Sequence, residues 1–275
     1  MEIEQAVVRH YAHGSLEETI LDALVAAGKD LKHLTPKDLA PVDEFHVGGR
    51  PATVAFAQQF GPQPGMRLLD VGCGLGGAAR YFAQEHGCRV TGIDLSEEYV
   101  NVANALAARV GLDGRVSCEL GSVLALPFEP GSFDAAYMFH VGMNVENKSR
   151  LFAEVRRVLA PSGVFGIYDV MRVGAGELSF PVPWASGPES SFVSDAATYR
   201  RLLEAEGFEM LKERNRRDFA MEIFAQMRAR GAGAGPAPLG LHIVMGASAG
   251  QKVKNMIGDI SAGLIAPTEI ICRAI

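Results

Sequence analysis

The residues with the greatest chemical potential cluster in one run, Leu68-Leu69-Asp70-Val71-Gly72-Cys73-Gly74-Leu75-Gly76-Gly77, with Asp94 closing the next apolar run. An apolar run that passes straight into glycines and then into a helical pattern reads as strand, tight turn and helix. Glycine suits such a turn because the backbone must bend sharply and let a ligand approach without a Cβ in the way. The helix that follows aims its positive end at the loop. Asp94 ends the second strand, where a carboxylate accepts hydrogen bonds from both hydroxyls of a ribose. The implied chemistry is the binding of an adenosine-type ligand. Gly72, Gly74 and Gly77 also satisfy the dinucleotide pattern G-x-G-x-x-G, so an NAD-type oxidoreductase is the alternative. Two features weigh against it: Asp70 stands where dinucleotide sites keep an apolar side chain, and a leader of about sixty residues precedes the loop.

A second group of residues could act on a bound substrate. His140 lies in Tyr137-Met138-Phe139-His140-Val141-Gly142-Met143-Asn144, at the end of a predicted fourth strand. Ligands of parallel α/β sheets sit at the carboxyl ends of the strands, so His140 is the candidate general base or substrate anchor. The plainer reading is a structural histidine closing the strand end. Asn144 can orient a substrate but cannot take a proton. Tyr11 and His46 belong to the leader, Trp184 is the only tryptophan, and His242 follows a glycine-rich segment. Tyr11 is a candidate for the cofactor end of the site and the other three for the substrate pocket, each with an ordinary structural reading beside it. Asp169 and Arg172, after Tyr168, read most simply as an ion pair.

Positioning such residues requires alternating strands and helices. Strand patterns occur at 67–71, 89–94, 115–120, 133–139, 163–170, 208–213 and 269–274, with helical patterns at 77–86, 97–110, 147–159 and 195–206. This alternation predicts an α/β fold with a doubly wound, mostly parallel seven-stranded sheet. Residues 1–64 form a predicted helical leader or lid, and 65–275 the main domain. Insertions at about 171–194 and 215–262 are expected to build a cap. Residues 231–240, Gly-Ala-Gly-Ala-Gly-Pro-Ala-Pro-Leu-Gly, read as a turn-rich linker.

Bulk properties exclude several classes. The 275 residues are 48% hydrophobic, carry a formal net charge of −6 and show no long apolar run. No membrane span or signal segment is expected, and the cytoplasm is the default location. Nucleic acid is not an expected partner, since phosphate neutralisation needs clustered cations. The one dense basic run, Lys212 to Arg217, is interrupted by Glu213 and reads as a solvated strand end or helix start. The four cysteines, Cys73, Cys88, Cys118 and Cys272, form no CxxC pair and no metal spacing. The apolar C-terminal segment would support a homodimer.

Three further motifs narrow the reading. Gly121-Ser122-Val123-Leu124-Ala125-Leu126-Pro127-Phe128 followed by Gly131-Ser132-Phe133-Asp134 resembles the third- and fourth-strand signature of class I S-adenosylmethionine-dependent methyltransferases. Glu154-Val155-Arg156-Arg157-Val158-Leu159-Ala160-Pro161-Ser162-Gly163 resembles their helix into the fifth strand. With the glycine loop ahead of these motifs, the resemblance covers about residues 45–215. The resemblance implies the Rossmann-like methyltransferase fold and in-line transfer of a methyl group to a small-molecule acceptor. It also implies S-adenosylmethionine as cofactor, S-adenosylhomocysteine as product, and no metal. Asp70, Gly72 and Gly74 would line the methionine part, Asp94 would hold the ribose, and Leu95 would pack on the adenine. Ser122 and Val123 would meet the adenine edge, with Phe139 and Tyr11 also beside the cofactor. His140 would be catalytic, and His46, Asn144, Trp184 and His242 would contact the acceptor. The family usually has Asp where this chain has Ser122, whose hydroxyl is a weaker acceptor than a carboxylate. His46-Val47-Gly48-Gly49-Arg50, Pro183-Trp184-Ala185 and Ser190-Ser191-Phe192 resemble the sarcosine/dimethylglycine N-methyltransferase and menaquinone C-methylase-like group. A non-catalytic S-adenosylmethionine-binding protein remains the other alternative.

Overall fold

A computed structural model describes residues 2–12, 14–231 and 237–275. Four helices come first: α1 Glu2–Tyr11, α2 Leu16–Ala26, α3 Pro36–Asp43 and α4 Gly49–Phe60. The alternating region follows as β1 Arg67–Val71, α5 Gly77–His86, β2 Arg89–Asp94, α6 Glu97–Arg109, β3 Val116–Leu120 and β4 Phe133–Phe139. It continues with α7 Lys148–Val158, β5 Leu159–Arg172, α8 Ala196–Ala205 and β6 Phe208–Asn215. The last elements are α9 Arg217–Gly231, α10 His242–Met245, α11 Ala249–Ser261 and β7 Ile265–Ala274. Of the expected linker, 232–236 lie outside the described residues.

Local chemistry sets the helix ends. The side chains of Ser96, Asn147 and Asp195 accept backbone N–H groups at the starts of α6, α7 and α8, satisfying donors that the first turn leaves open. Thr35 and Asp38 form a reciprocal capping box at α3.

The seven strands form one sheet in the order β3-β2-β1-β4-β5-β7-β6. The first five are parallel, and β7 runs antiparallel between β5 and β6. The doubly wound, mostly parallel fold expected from the alternation is therefore present. Three strands are longer than their patterns suggested, and of these β6 runs on by two residues to Asn215. β7 starts at Ile265 because Ile265–Thr268 pair with Arg172–Asp169, extending both strands towards the cap. β5 begins at Leu159, which pairs with Phe133 across an irregularity in the register.

Apolar clusters cover both faces of the sheet: Phe56, Phe60, Phe82 and Tyr137 on one side, Phe152, Phe165, Tyr199 and Phe208 on the other. A third cluster joins the leader to α6 and α10 through Ile20, Leu24, Leu39, Leu106 and Val244. A fourth, with Trp184, Phe224, Met256 and Ile260, lies under the segments between β5 and β7. The chain reverses direction across the sheet between β1 and β4, the place where such sheets open a crevice at the strand ends. Leader and cap close over that crevice.

The leader docks closely on the helix after the glycine loop. A Cβ on Gly77 would lie 2.3 Å from the backbone carbonyl oxygen of Asp43. Gly77→Ala is therefore expected to destabilise the fold by about 1–3 kcal/mol, as overpacking does, and to lower Tm by several degrees. Gly114→Ala is the control, since its Cβ would meet nothing within 4 Å. Equal melting temperatures for the two variants would contradict the tight seam.

Candidate functional site

The glycine loop is folded back on β2. The N–H groups of Gly72 and Cys73 both donate to the Ile93 carbonyl at 2.9 Å. Gly72 has φ +74, and a Cβ there would come within 2.5 Å of Val141. Gly74, at φ +52, has nothing within 4 Å of its Cβ position and opens onto the cavity. Its N–H donates to Oδ2 of Asp94 at 2.9 Å, while Oδ1 of Asp94 accepts the Ser96 N–H at 2.9 Å. One carboxylate thereby locks both the loop and the start of α6. Burial pushes the Asp94 carboxyl up, opposed by these N–H donors.

Asp70 lies at the floor. It is buried and accepts a hydrogen bond from the Tyr137 hydroxyl at 2.9 Å. Burial pushes its carboxyl up to about 8, with the negative charge of Asp94 adding to the effect and the Tyr137 bond opposing it. The Tyr99 hydroxyl is buried without a partner, and Tyr99 lines the same cavity. An open glycine cradle, a carboxylate at the end of β2 and an orphaned hydroxyl fit a nucleoside ligand with a polar tail.

These groups line part of one cavity of about 1100 Å³ that continues under the cap to Trp184, Phe224, Met227, Met245 and Met256. Pockets holding one small ligand usually span ~300–1,000 Å³. The volume is thus enough for two ligands side by side, one in the polar half and one against the apolar wall.

The expected site residues separate once placed. Asp70, Gly72, Gly74, Asp94, Leu95, Val123, Phe139, Tyr11, His140, His46, Asn144 and Trp184 all line the cavity. His242 does not: it is exposed on α10, while its neighbours Leu241, Val244 and Met245 face inward. The short helix turns its apolar side to the cavity and leaves the imidazole outside. Ser122 is also absent from the wall. Its hydroxyl donates to Oε1 of Glu4 at 2.5 Å, and its Oγ accepts the Leu124 N–H at 3.1 Å. The carboxylate that reaches this end of the cavity belongs to Glu4, on the leader.

His140 is not arranged as a free base. Its backbone is left-handed, with φ 55, an unfavourable conformation held by its N–H bond to the Tyr168 carbonyl at 2.8 Å. Nδ1 faces the same carbonyl at 3.1 Å, and Nε2 accepts the Val47 N–H at 3.2 Å. With Nδ1 donating and Nε2 accepting, no lone pair points at a substrate. Burial pushes its pKa down to about 3, and the nearby His46 adds to the shift. The ring is neutral and ties β4, β5 and the leader together. His46 is likewise pushed down to about 4 by burial, with Nε2 at 3.0 Å from Thr53 Oγ1 and 3.1 Å from the Gly49 carbonyl.

Asn144 and Tyr11 form a strap. The Tyr11 hydroxyl donates to Oδ1 of Asn144 at 3.2 Å, and Nδ2 of Asn144 donates to the Trp184 carbonyl at 2.7 Å. Trp184 is buried, with its indole N–H on Ser191 Oγ at 3.0 Å. Leader, sheet and cap are joined through these three side chains. The ion pair expected between Asp169 and Arg172 is not formed. Asp169 accepts from the Tyr199 hydroxyl at 2.5 Å, and Arg172 turns outward to the Gly176 carbonyl at 2.7 Å. The basic run at 212–217 ends β6 and starts α9, with Arg214 and Arg216 both paired to Glu269.

Two adjacent acids in the leader went unnoticed in the sequence. Asp43 and Glu44 are both buried and both line the cavity. Asp43 pairs with the fully buried Arg80 at 2.6 Å, and Glu44 pairs with Arg50 at 2.5 Å while accepting the Thr53 hydroxyl at 2.5 Å. Burial pushes both carboxyls up, opposed by the two guanidinium charges. The only local signal was their place just before the His46–Arg50 segment. Among the described residues, no group of three or more His, Cys, Asp or Glu side chains is placed to hold a metal ion.

Comparison with known proteins gives this geometry a context. The methyltransferase domain family matches residues 69–167. The sterol 24-C-methyltransferase of Gibberella zeae is 38% identical over 114 residues, which is 42% of this chain and 30% of that protein. The chain thus matches less than a third of that relative's length. The crystal structure of the (4+2)-cyclase SpnF superimposes with a TM-score of 0.69 at 25% identity, covering 98% of this chain and 96% of that one. Phosphoethanolamine N-methyltransferase 2 of Haemonchus contortus, in complex with S-adenosylmethionine, gives a TM-score of 0.75 at 23% identity, covering 100% of this chain and 60% of that one.

The strap makes the attachment of the leader measurable. Tyr11→Phe removes one hydrogen bond and keeps the ring, a loss of about 1 kcal/mol. Tryptic cleavage after Arg9 is expected to accelerate several-fold, with the core of the protein unaffected. An unchanged cleavage rate would show that the hydroxyl does not hold α1 down.

Proposed function

We propose that this chain, whose residues 69–167 match the methyltransferase domain family, is a class I S-adenosylmethionine-dependent methyltransferase that methylates a small, apolar acceptor. The observation that carries this reading is the continuous cavity: a polar half at the glycine loop and Asp94, and an apolar half under Trp184, Phe224, Met227 and Met256. When bound, S-adenosylmethionine supplies an electrophilic methyl group on a sulfonium centre. Asp94 would accept the ribose hydroxyls, Leu95 and Val123 would flank the base, and Asp70 would face the methionine ammonium, all four lining the cavity. Leader and cap exclude water and align the acceptor behind the methyl carbon, which is where the rate gain of an in-line displacement comes from.

Within this reading His140 is a positioning residue. Its neutral ring, engaged on both nitrogens, holds Val47 and Tyr168 at the point where the two halves of the cavity meet. A pKa near 3 keeps it neutral throughout the working range. His140→Ala is expected to lower kcat at least tenfold with little change in cofactor affinity. The limbs of its pH–rate profile should match those of the unmodified protein. A limb near pH 6–7 that vanishes in the variant would restore the general-base role.

Among the relatives, a sterol acceptor agrees better with an apolar wall than phosphoethanolamine does. The test is a panel of acceptors incubated with S-adenosylmethionine and read out as S-adenosylhomocysteine. Sterol-, terpenoid- and polyketide-like compounds should turn over in preference to amines and phosphoesters. A second reading rests on the likeness to the cyclase along nearly the whole of both chains and on the absence of a free base at His140. It is a cofactor-holding fold that assists a ring closure needing no proton transfer. Conversion of an acceptor without S-adenosylhomocysteine formation would favour it.

Asp70 links cofactor binding to pH. In the free protein its carboxyl, at about 8, is largely protonated at pH 7. An ammonium group beside it favours the carboxylate, so binding should release most of one proton at pH 7. Affinity should therefore rise between pH 6 and pH 8. Calorimetry in buffers of different ionisation enthalpy measures the release, and Asp70→Asn should abolish it. No buffer dependence in the unmodified protein would refute the assignment.

A further inference from the structure

The leader helix presents one face to the cofactor half of the cavity. Ile3, Glu4, Val7 and Tyr11, spaced as one side of a helix, all line the wall. Three of these four are apolar or aromatic, and the anionic one is Glu4. It is held where β3 hands over to the next loop, through the 2.5 Å hydrogen bond from Ser122.

The ligand that would reach this point follows from general chemistry. With the ribose on Asp94, the attached base extends past Leu95 towards Val123, both in the cavity wall. A purine needs apolar contacts on its two faces and polar partners along its edge. An exocyclic amino group carries two donors and seeks an acceptor. Ser122 is turned away from that task, because its hydroxyl proton is given to Glu4 and its oxygen also receives the Leu124 N–H. A carboxylate has two oxygens and about four acceptor positions, so it can take an amino group while also holding other partners such as Ser122.

We propose that Glu4, carried by the leader helix and oriented by Ser122, is the residue that recognises the amino group of the cofactor's adenine. The proposal rests on the reading of the cavity as an S-adenosylmethionine site. It assigns base selection to a detachable element in place of the sheet, so that docking of α1 and recognition of the adenine become one event. A carboxylate also selects by repulsion, since a purine with a carbonyl at the same position would face it lone pair to lone pair.

The test compares binding of S-adenosylhomocysteine with that of S-inosylhomocysteine, which has a carbonyl in place of the amino group. Titration calorimetry on the full chain supplies the readout, and unchanged melting temperature shows that the variants fold. The unmodified protein should bind the adenosyl compound with clear preference. Glu4→Ala should weaken that binding about tenfold or more, the magnitude of one charge-assisted hydrogen bond. Glu4→Gln should largely erase the preference, because its amide can donate to the carbonyl of the inosyl compound. In the Glu4→Ala background, Ser122→Asp should restore both affinity and preference by returning a carboxylate to the same place. Equal loss for the two ligands in Glu4→Gln would mean that Glu4 only anchors the helix, and would overturn the proposal while leaving the cofactor site standing. Failure of the unmodified protein to bind S-adenosylhomocysteine would overturn both.

Discussion

A guanidinium sealed from solvent holds this structure in register. Arg80 is fully buried, and it donates to the Asp43 carboxylate and the Leu75 carbonyl at 2.6 Å and to the Ala103 carbonyl at 3.2 Å. Those partners belong to the leader, the glycine loop and α6. Removing such a charge from water costs several kcal/mol, which only well-placed acceptors offset. The arrangement is therefore specific: once Arg80 is inside, each of the three elements has one place to go. Gly77 permits it by letting the end of α3 come against α5 without a Cβ between them.

The same burial shapes the chemistry of the cavity. Asp43, Glu44 and Asp70 are carboxyls whose neutral forms are favoured by a dry surrounding. Two of them are ion-paired with Arg80 and Arg50, whereas Asp70 is hydrogen-bonded by the neutral Tyr137 hydroxyl and feels Arg80 at longer range. Asp70 is thus the carboxyl that gains most from an incoming cation. His140 and His46 are held neutral by the same effect. The site is organised to hold and orient, and its floor is poised for one positive group. At the other end the apolar wall under Trp184 and Phe224 offers no comparable charge.

Much of the fold was legible because strand and helix periodicity is local. The glycine loop, the acids that end β1 and β2, and the starts of α6, α7 and α8 each follow from contiguous residues whose chemistry admits few alternatives. The boundaries that shifted, β5 at Leu159 and β7 at Ile265, are places where pairing with a distant strand extends the element beyond its own pattern. Site residues divided on the same line. Asp70, Gly74 and Asp94 reach the cavity because their own turns aim them there. His242 missed it, because a four-residue helix is rotated by its packing on the leader and α11 and not by its sequence.

What the amino-acid sequence determined by itself was the glycine loop with Asp70 and Asp94 at its sides, since tight turns and strand ends are written within a dozen residues. What only the tertiary structure decided was how that site is completed. Ser122 stands where a carboxylate would be useful, and the carboxylate arrives from Glu4, 118 positions earlier in the chain. His140 appears in sequence as an available base, yet Val47 and Tyr168 occupy both of its nitrogens. Contacts between residues so far apart carry no spacing signal. They arise when a sheet, a leader and a cap are packed around one cavity, and the same packing sets which side chains remain open to a ligand.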